Sequence, residues 1–238
     1  MAVQYANARL VTNGLVLALD AGDRNSYPGT GTSWTDLSGN GNNGTLTNGP
    51  TYSSTNGGSI VFDGSNDYMS VPSLANTSFP QNAGTISIWY NIQSSGGTVT
   101  YADKGIFDSQ DPGRDHIFFR NYYNSPNNLQ IGINSIRTSP SGYEAVANYS
   151  ISVDIYHNIV VTYTTGVGGS VQFYIDGVLR TSGAIDSGFR PTGQFVGFGN
   201  SSFAMQGKGN MMHIYNRAIT ATEVQQNYNA QKSRFNII

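Results

Sequence analysis

The sequence predicts an all-β protein, an antiparallel β-sandwich of the jelly-roll type with one short C-terminal helix. Three observations carry this. Residues 158–180 alternate with period 2: Ile159, Val161 and Tyr163 fall on one face of a first strand, and Val171, Phe173 and Ile175 on one face of a second. These are the β-branched and aromatic residues that suit a pleated, half-buried surface. Gly166, Gly168 and Gly169 separate the two strands, and Asp176-Gly177 marks a second, tighter turn. The composition is rich in turn residues, with 29 glycines, as expected for many short strands joined by polar loops. One stretch alone, about 221–232, combines a helical pattern with a capping box, Thr220 and Glu223, and places Ala221, Val224 and Tyr228 on one face.

Taken in order, Gly14-Leu-Val-Leu-Ala-Leu-Asp20 is a compact apolar run that reads as a buried strand. Residues 21–58 read as a long glycine-rich loop, anchored to the core by Trp34 and Leu37. Ser59–Asp63 and Tyr68–Val71 read as a strand pair around an Asp-Gly-Ser-Asn turn. In 85–92, Ile86, Ile88 and Tyr90 oppose Ser87, Trp89 and Asn91, with Trp89 expected in packing. Segments 115–120, 129–133, 144–147, 194–198 and 209–215 complete the expected strands. The tail carries Phe235, Ile237 and Ile238, and either tucks against its own sheet or docks on a neighbour.

Length and charge bound the function. At 238 residues the chain is expected to form one domain, 1–238, with an N-terminal arm over 1–13 and a tail over 233–238. With 11% charged residues and a net charge of −2 there is no electrostatic footprint for nucleic acid or an anionic membrane. No apolar run approaches the roughly 20 residues a membrane span requires. The chain has no cysteine, which excludes disulfides and thiol catalysis. The first residues lack the basic-then-apolar pattern of a signal peptide, so export by the general secretory route is not expected.

Four short segments in order resemble one family. They are Asp36-Leu-Ser-Gly-Asn-Gly-Asn-Asn-Gly-Thr45, Phe62-Asp-Gly-Ser-Asn-Asp-Tyr68, the pair His157-Asn-Ile-Val-Val-Thr-Tyr163 and Phe173-Tyr-Ile-Asp-Gly-Val178, and Ile214-Tyr-Asn-Arg-Ala-Ile-Thr220. Together they resemble the laminin-G-like group of concanavalin A-type lectin/glucanase domains over roughly residues 15–230. The resemblance implies a concanavalin A-like jelly roll, and it implies no single function, because one fold hosts many.

Glycoside hydrolysis needs two carboxylates flanking the scissile bond. The family's glucanases carry alternating acidic residues on one strand, whereas this chain has two glutamates, Glu223 in the helix cap and Glu144 standing alone. His116, His157 and His213 lie inside expected strands and no nucleophile-elbow motif occurs. The expectation is that the protein is not an enzyme.

No cofactor is required by the sequence; if a metal binds, calcium is the candidate, since relatives use it and it takes six to eight oxygen ligands. The best local cluster is Asp103, Asp108, Asp111 and Asp115, and Asp63 with Asp67 and the Asn66 carbonyl forms another. Turn formation and ion pairing with Lys104 and Arg114 explain the first cluster equally well. Relatives often carry Asp where Asn210 stands. For glycans, the candidate segment is Arg120, Asn121, Tyr122, Tyr123 and Asn124, within a polar, tyrosine-bearing loop over 120–128.

The cysteine-free, Gly/Asn/Ser/Thr-rich composition, the Asp-Leu-Ser-Gly-Asn-Gly loop and the Ile-Tyr-Asn-Arg-Ala strand also resemble bacteriophage virion domains from fibres and capsid decorations. That resemblance implies a virion-surface or otherwise extracellular protein, with other virion proteins and cell-surface glycans as partners and a homo-oligomer as its assembly. A free or cell-surface carbohydrate-binding module is the alternative, and a glycan-degrading enzyme ranks third.

Overall fold

A computed structural model describes residues 9–74, 79–93, 104–108, 116–122, 125–134, 143–185, 197–199 and 205–237. Along the chain the strands are β1 (Leu15–Asp20), β2 (Ser33–Trp34), β3 (Gly44–Thr47), β4 (Thr51–Ser53), β5 (Ser59–Asp63), β6 (Tyr68–Ser70), β7 (Ala83–Ile92) and β8 (Lys104–Asp108). They continue as β9 (His116–Tyr122), β10 (Ser125–Asn134), β11 (Tyr143–Ser150), β12 (Tyr156–Thr164), β13 (Ser170–Ile175), β14 (Val178–Ala184), β15 (Gly197–Phe198) and β16 (Gln206–Tyr215). The helix α1 (Ala221–Gln231) follows, extended by a 3-10 turn over Lys232–Phe235.

One layer is an eight-stranded antiparallel sheet in the order β14-β13-β12-β7-β16-β5-β4, with β1 also paired to β16. The predicted hairpin is β12–β13, with Ile159 opposite Ile175 and Val161 opposite Phe173. The Asp176-Gly177 turn adds β14, a strand the sequence reading did not name; both turn residues have positive φ, 52° and 75°, the signature of a type I′ hairpin. Long β16 pairs with β7 on one edge, and on the other with β5 and then β1. Asn210 sits where β5 gives way to β1: its carbonyl accepts the Ala21 N–H at 2.9 Å and its side-chain amide donates to the Gly58 carbonyl. Burying an amide is costly unless its hydrogen bonds are made, and here it stitches two strand ends.

The opposite layer consists of two four-stranded sheets, β11-β10-β9-β8 and β15-β6-β3-β2. The main core lies between the layers, where Leu17, Ile60, Ile86, Ile88, Val161 and Phe173 of the large sheet meet Leu46, Met69, Phe119, Ile131 and Phe198. Strand alternation produces this directly, since every second side chain points inward. Gly84 is the exception that packing demands: a Cβ there would come within 2.3 Å of the Tyr163 hydroxyl oxygen, and that hydroxyl donates to the Pro80 carbonyl at 2.5 Å.

Several expectations are corrected. Residues 21–58 hold three short strands, β2 to β4, rather than loop alone. Trp34 is fully buried, stacked on Phe198 with ring centroids 6.3 Å apart, but Leu37 is exposed. β5 and β6 do not pair. The Asp63–Asp67 turn carries the chain from one layer to the other, with the Asp67 carboxylate accepting the Asp63 N–H at 3.1 Å. On α1 the buried residues are Val224, Asn227 and Tyr228, while Ala221 is exposed. Asn227 is inside because its amide is paired at both ends, accepting from the Val11 N–H and donating to the Tyr215 hydroxyl.

The outer face of the large sheet is not left to solvent. Helix α1 and the tail cover it, forming two smaller clusters around Tyr215, Ile219 and Val224 and around Trp89, Tyr228 and Phe235. Trp89 is indeed in packing, held between Tyr228 (5.6 Å, 7° between planes) and Phe235 (4.4 Å, 27°). Phe235 is buried and Ile237 lies against the same cluster, so the tail tucks onto its own sheet; Ile238 lies outside the described residues.

Candidate functional site

The described part of the predicted glycan segment ends a strand paired on both sides, and the segment is not a nine-residue loop. Arg120, Asn121 and Tyr122 end β9, and Ser125 already begins β10; Tyr123 and Asn124 lie outside the described residues. Asn121 is opposite Leu129 and Tyr122 opposite Ser125, so β10 carries an irregularity between Ser125 and Leu129. Such bulges re-aim a strand end. On the other side, β8 brings Lys104 opposite Asn121 and Gly105 opposite Arg120. Of the predicted calcium aspartates, Asp108 ends β8, while Asp103, Asp111 and Asp115 lie outside the described residues.

Most other motif carboxylates have structural partners. Asp36 is a hub: Oδ1 accepts the N–H of Ala18 and Ser38 at 2.8 and 2.9 Å, and Oδ2 accepts the Ser38 hydroxyl and the Asn42 N–H at 2.7 and 3.0 Å. The same loop caps the free edge of β1, with the Leu37 N–H on the Ala18 carbonyl and the Asn42 and Asn40 amides on the carbonyls of Val16 and Leu15. This explains the Asp-Leu-Ser-Gly-Asn-Gly-Asn pattern as a cover for an open strand edge.

Asp63 accepts the Ser65 N–H, and the Asn66 carbonyl accepts the Asn48 amide. Desolvation raises the Asp67 carboxyl above its ordinary value, a shift the Asp63 N–H opposes. Asp176 bridges the Asn158 N–H and the His157 Nδ1, each at 2.8 Å. Glu223 takes both Arg217 guanidinium nitrogens at 2.7 and 2.9 Å and closes the capping box with Thr220. The Arg217 hydrogen bond holds the Glu223 carboxyl down at about 2. Among the described residues, no group of three His, Asp or Glu side chains is placed to hold a metal ion.

A half-open groove of about 560 Å³ lies on the outer face of the large sheet. Its floor is Ala18, Asp20, Met211 and His213 of β1 and β16, and its walls are Leu10, Thr12, Leu15 and Leu37 on one side and Ala230, Gln231, Ser233 and Arg234 on the other. Arg234 holds Asp20 in a bidentate ion pair at 2.5 and 2.9 Å and also reaches the Asn210 Oδ1 at 3.3 Å. His213 is 4% exposed. Burial lowers its pKa to about 4, with Asp20 raising it and Arg234 lowering it. The sequence pattern places His213 in a strand and gives it no further role. No local motif signals this groove, because Asp20, His213 and Arg234 converge from distant positions, and only the tail's return across the sheet assembles them.

No curated protein matches the sequence. Domain 4 of AbnA, an extracellular arabinanase from Geobacillus stearothermophilus solved with arabinotriose, is similar at a TM-score of 0.65 and 17% identity, over 90% of this chain and 98% of that one. The receptor-binding domain of botulinum neurotoxin D is similar at a TM-score of 0.70 and 14% identity over 92% of this chain, which spans 53% of that domain. The Trypanosoma rangeli sialidase in complex with sialic acid is similar at 0.64 and 15% identity, over 93% of this chain and 33% of that one. The laminin-G-like model of the concanavalin A-like lectin/glucanases superfamily matches residues 63–225. That match takes in the large sheet from Asp63 of β5 through β16 and the cap of α1, and the chain belongs to the concanavalin A-like lectin/glucanases superfamily.

Proposed function

We propose that this chain is a non-enzymatic glycan-binding sandwich on the exterior of a bacteriophage particle, a capsid decoration or fibre component that adheres to cell-surface glycans. The observation that carries the glycan part is the likeness to an arabinanase domain solved with arabinotriose, which spans nearly all of both chains. The non-enzymatic part draws on the carboxylates: Asp20, Asp36, Asp176 and Glu223 are each committed to a cation, a histidine or backbone N–H groups. A hydrolase needs one carboxyl free to protonate the leaving group, and the Glu223 carboxyl is held low instead. The virion setting rests on the resemblance of the composition and of the Asp36–Thr45 and Ile214–Thr220 motifs to phage surface domains.

The adhesive segment in this reading is Arg120–Asn124, at the end of β9. Binding of the purified protein to a glycan array that includes arabino-oligosaccharides, with and without a calcium chelator, tests it. Saturable binding that falls at least tenfold in a folded Tyr122→Ala, Tyr123→Ala variant supports the site; an array blank for a folded sample removes glycan adhesion. Loss of binding on chelation brings in calcium and the aspartates 103, 108, 111 and 115. The arabinanase neighbour, a domain of an extracellular enzyme, favours a free carbohydrate-binding module as a second reading. Sedimentation separates the two, because a virion subunit stays with particles through salt washing and a module does not. Reducing-sugar release by the purified protein would overturn the non-enzymatic reading.

A further inference from the structure

The groove between β1, β16 and the C-terminal turn shares no residue with the Arg120–Asn124 segment. We propose that it is a second ligand site, which takes one uncharged, hydroxyl-rich ring such as a single pyranose or furanose unit. His213 lies at its floor, almost fully buried, and its imidazole makes no hydrogen bond to another described residue. Its ring nitrogens are not among the fully enclosed polar atoms left without a partner, so the open part of the ring faces the groove, where water or a ligand completes its hydrogen bonding. A neutral imidazole offers one N–H donor and one lone pair, the complement of a hydroxyl group. Gln231 adds to this, since its Oε1 accepts the Trp89 indole N–H at 2.8 Å, which leaves its amide nitrogen to donate into the groove that it lines.

Charge selects against ionic ligands. Among the described residues that line the groove, the charged ones are Asp20 and Arg234, and they neutralise one another through two hydrogen bonds. A carboxylate or phosphate would have to take Arg234 from Asp20 and leave that carboxylate unpaired, which is strongly unfavourable in a partly buried site. Of the remaining lining, Leu10, Leu15, Ala18, Leu37 and Met211 present hydrocarbon to the C–H faces of a ring, and Thr12 and Ser233 add hydroxyl groups. A volume of about 560 Å³ lies within the range of small-molecule sites.

The test is a titration of the whole chain, labelled with ¹⁵N-histidine, with arabinose, galactose, glucose and N-acetylglucosamine, and with phosphate and acetate as charged probes. The chain has three histidines, so the His213 signal is assigned from a His213→Phe variant. The expected result is a saturable shift of the His213 signal with at least one neutral sugar and none with either anion. The shift persists in Tyr122→Ala, Tyr123→Ala and is lost, with affinity at least tenfold weaker, in Ala230→Trp, which fills the groove from α1 and leaves the sheet intact. A His213 signal unmoved by every sugar, moved by the anions, or moved equally in a folded Ala230→Trp variant overturns the proposal. The proposal does not depend on the β9 segment, so the two sites fail or succeed separately.

Discussion

Arg234 grips Asp20 through both guanidinium nitrogens, at 2.5 and 2.9 Å, across 214 positions of sequence. The pair pins the C-terminal turn over β1 and β16, and the next residue, Phe235, slides between Trp89 and Tyr156 with ring centroids 4.4 Å from each. The tail is therefore part of the fold's outer cover.

Phe235→Ala should cost about 3 kcal/mol, the usual loss for truncating a buried aromatic. Urea unfolding measures it. The native emission should also shift to the red for Trp89 alone, since Trp34 is buried in the main core away from the tail. An unchanged midpoint would show that the tail contributes nothing to stability.

Acid should weaken the protein in two stages. His213 has a folded pKa of about 4 against an ordinary 6.5, chiefly because burial disfavours its charged form. The unfolded chain then binds more protons between these values. Stability is intact above pH 6.5, falls as the pH drops toward 4, and loses about 3 kcal/mol in all. Below the ordinary carboxyl range Glu223 adds a second loss, ending near its folded value of about 2. Stability measured against pH in His213→Gln should lack the first stage; a wild-type curve flat from pH 6.5 to 4 would refute the assignment.

Asp36→Ala should cost roughly 2–4 kcal/mol, because it strands buried N–H groups that a carboxylate now satisfies. Hydrogen exchange locates the effect: the amides of Ala18, Ser38 and Asn42 should lose protection first, as the loop lifts from the edge of β1. Equal protection in variant and wild type would mean that the Asp36 carboxylate does not hold the loop to β1.

Gly177→Ala should destabilise by about 1–2 kcal/mol. Its φ of 75° disfavours an L side chain, and the added Cβ would meet the Tyr228 ring at 3.0 Å. Thermal unfolding reads this out, and a Tm equal to wild type would mean that the turn relaxes freely.

What the sequence determined by itself is local. Period-2 runs in Ile86–Ile92, Ile159–Tyr163 and Val171–Ile175 dictate strands, and Thr220 with Glu223 dictates where the helix begins, because these signals depend on residues a few positions apart. The Asp36–Thr45 and Phe62–Tyr68 motifs were equally visible. Their jobs were not: covering the edge of β1 and crossing between layers are long-range relationships that no window of sequence contains. Only the tertiary structure put β5 and β6 into different sheets, since each strand satisfies its hydrogen bonds with whichever edge the closed sandwich presents. It alone brought Asp20, His213, Gln231 and Arg234 to one groove, because burying Trp89 and Phe235 on the outer face returns the tail across the sheet, and the hydrophobic gain of that return has no local signature.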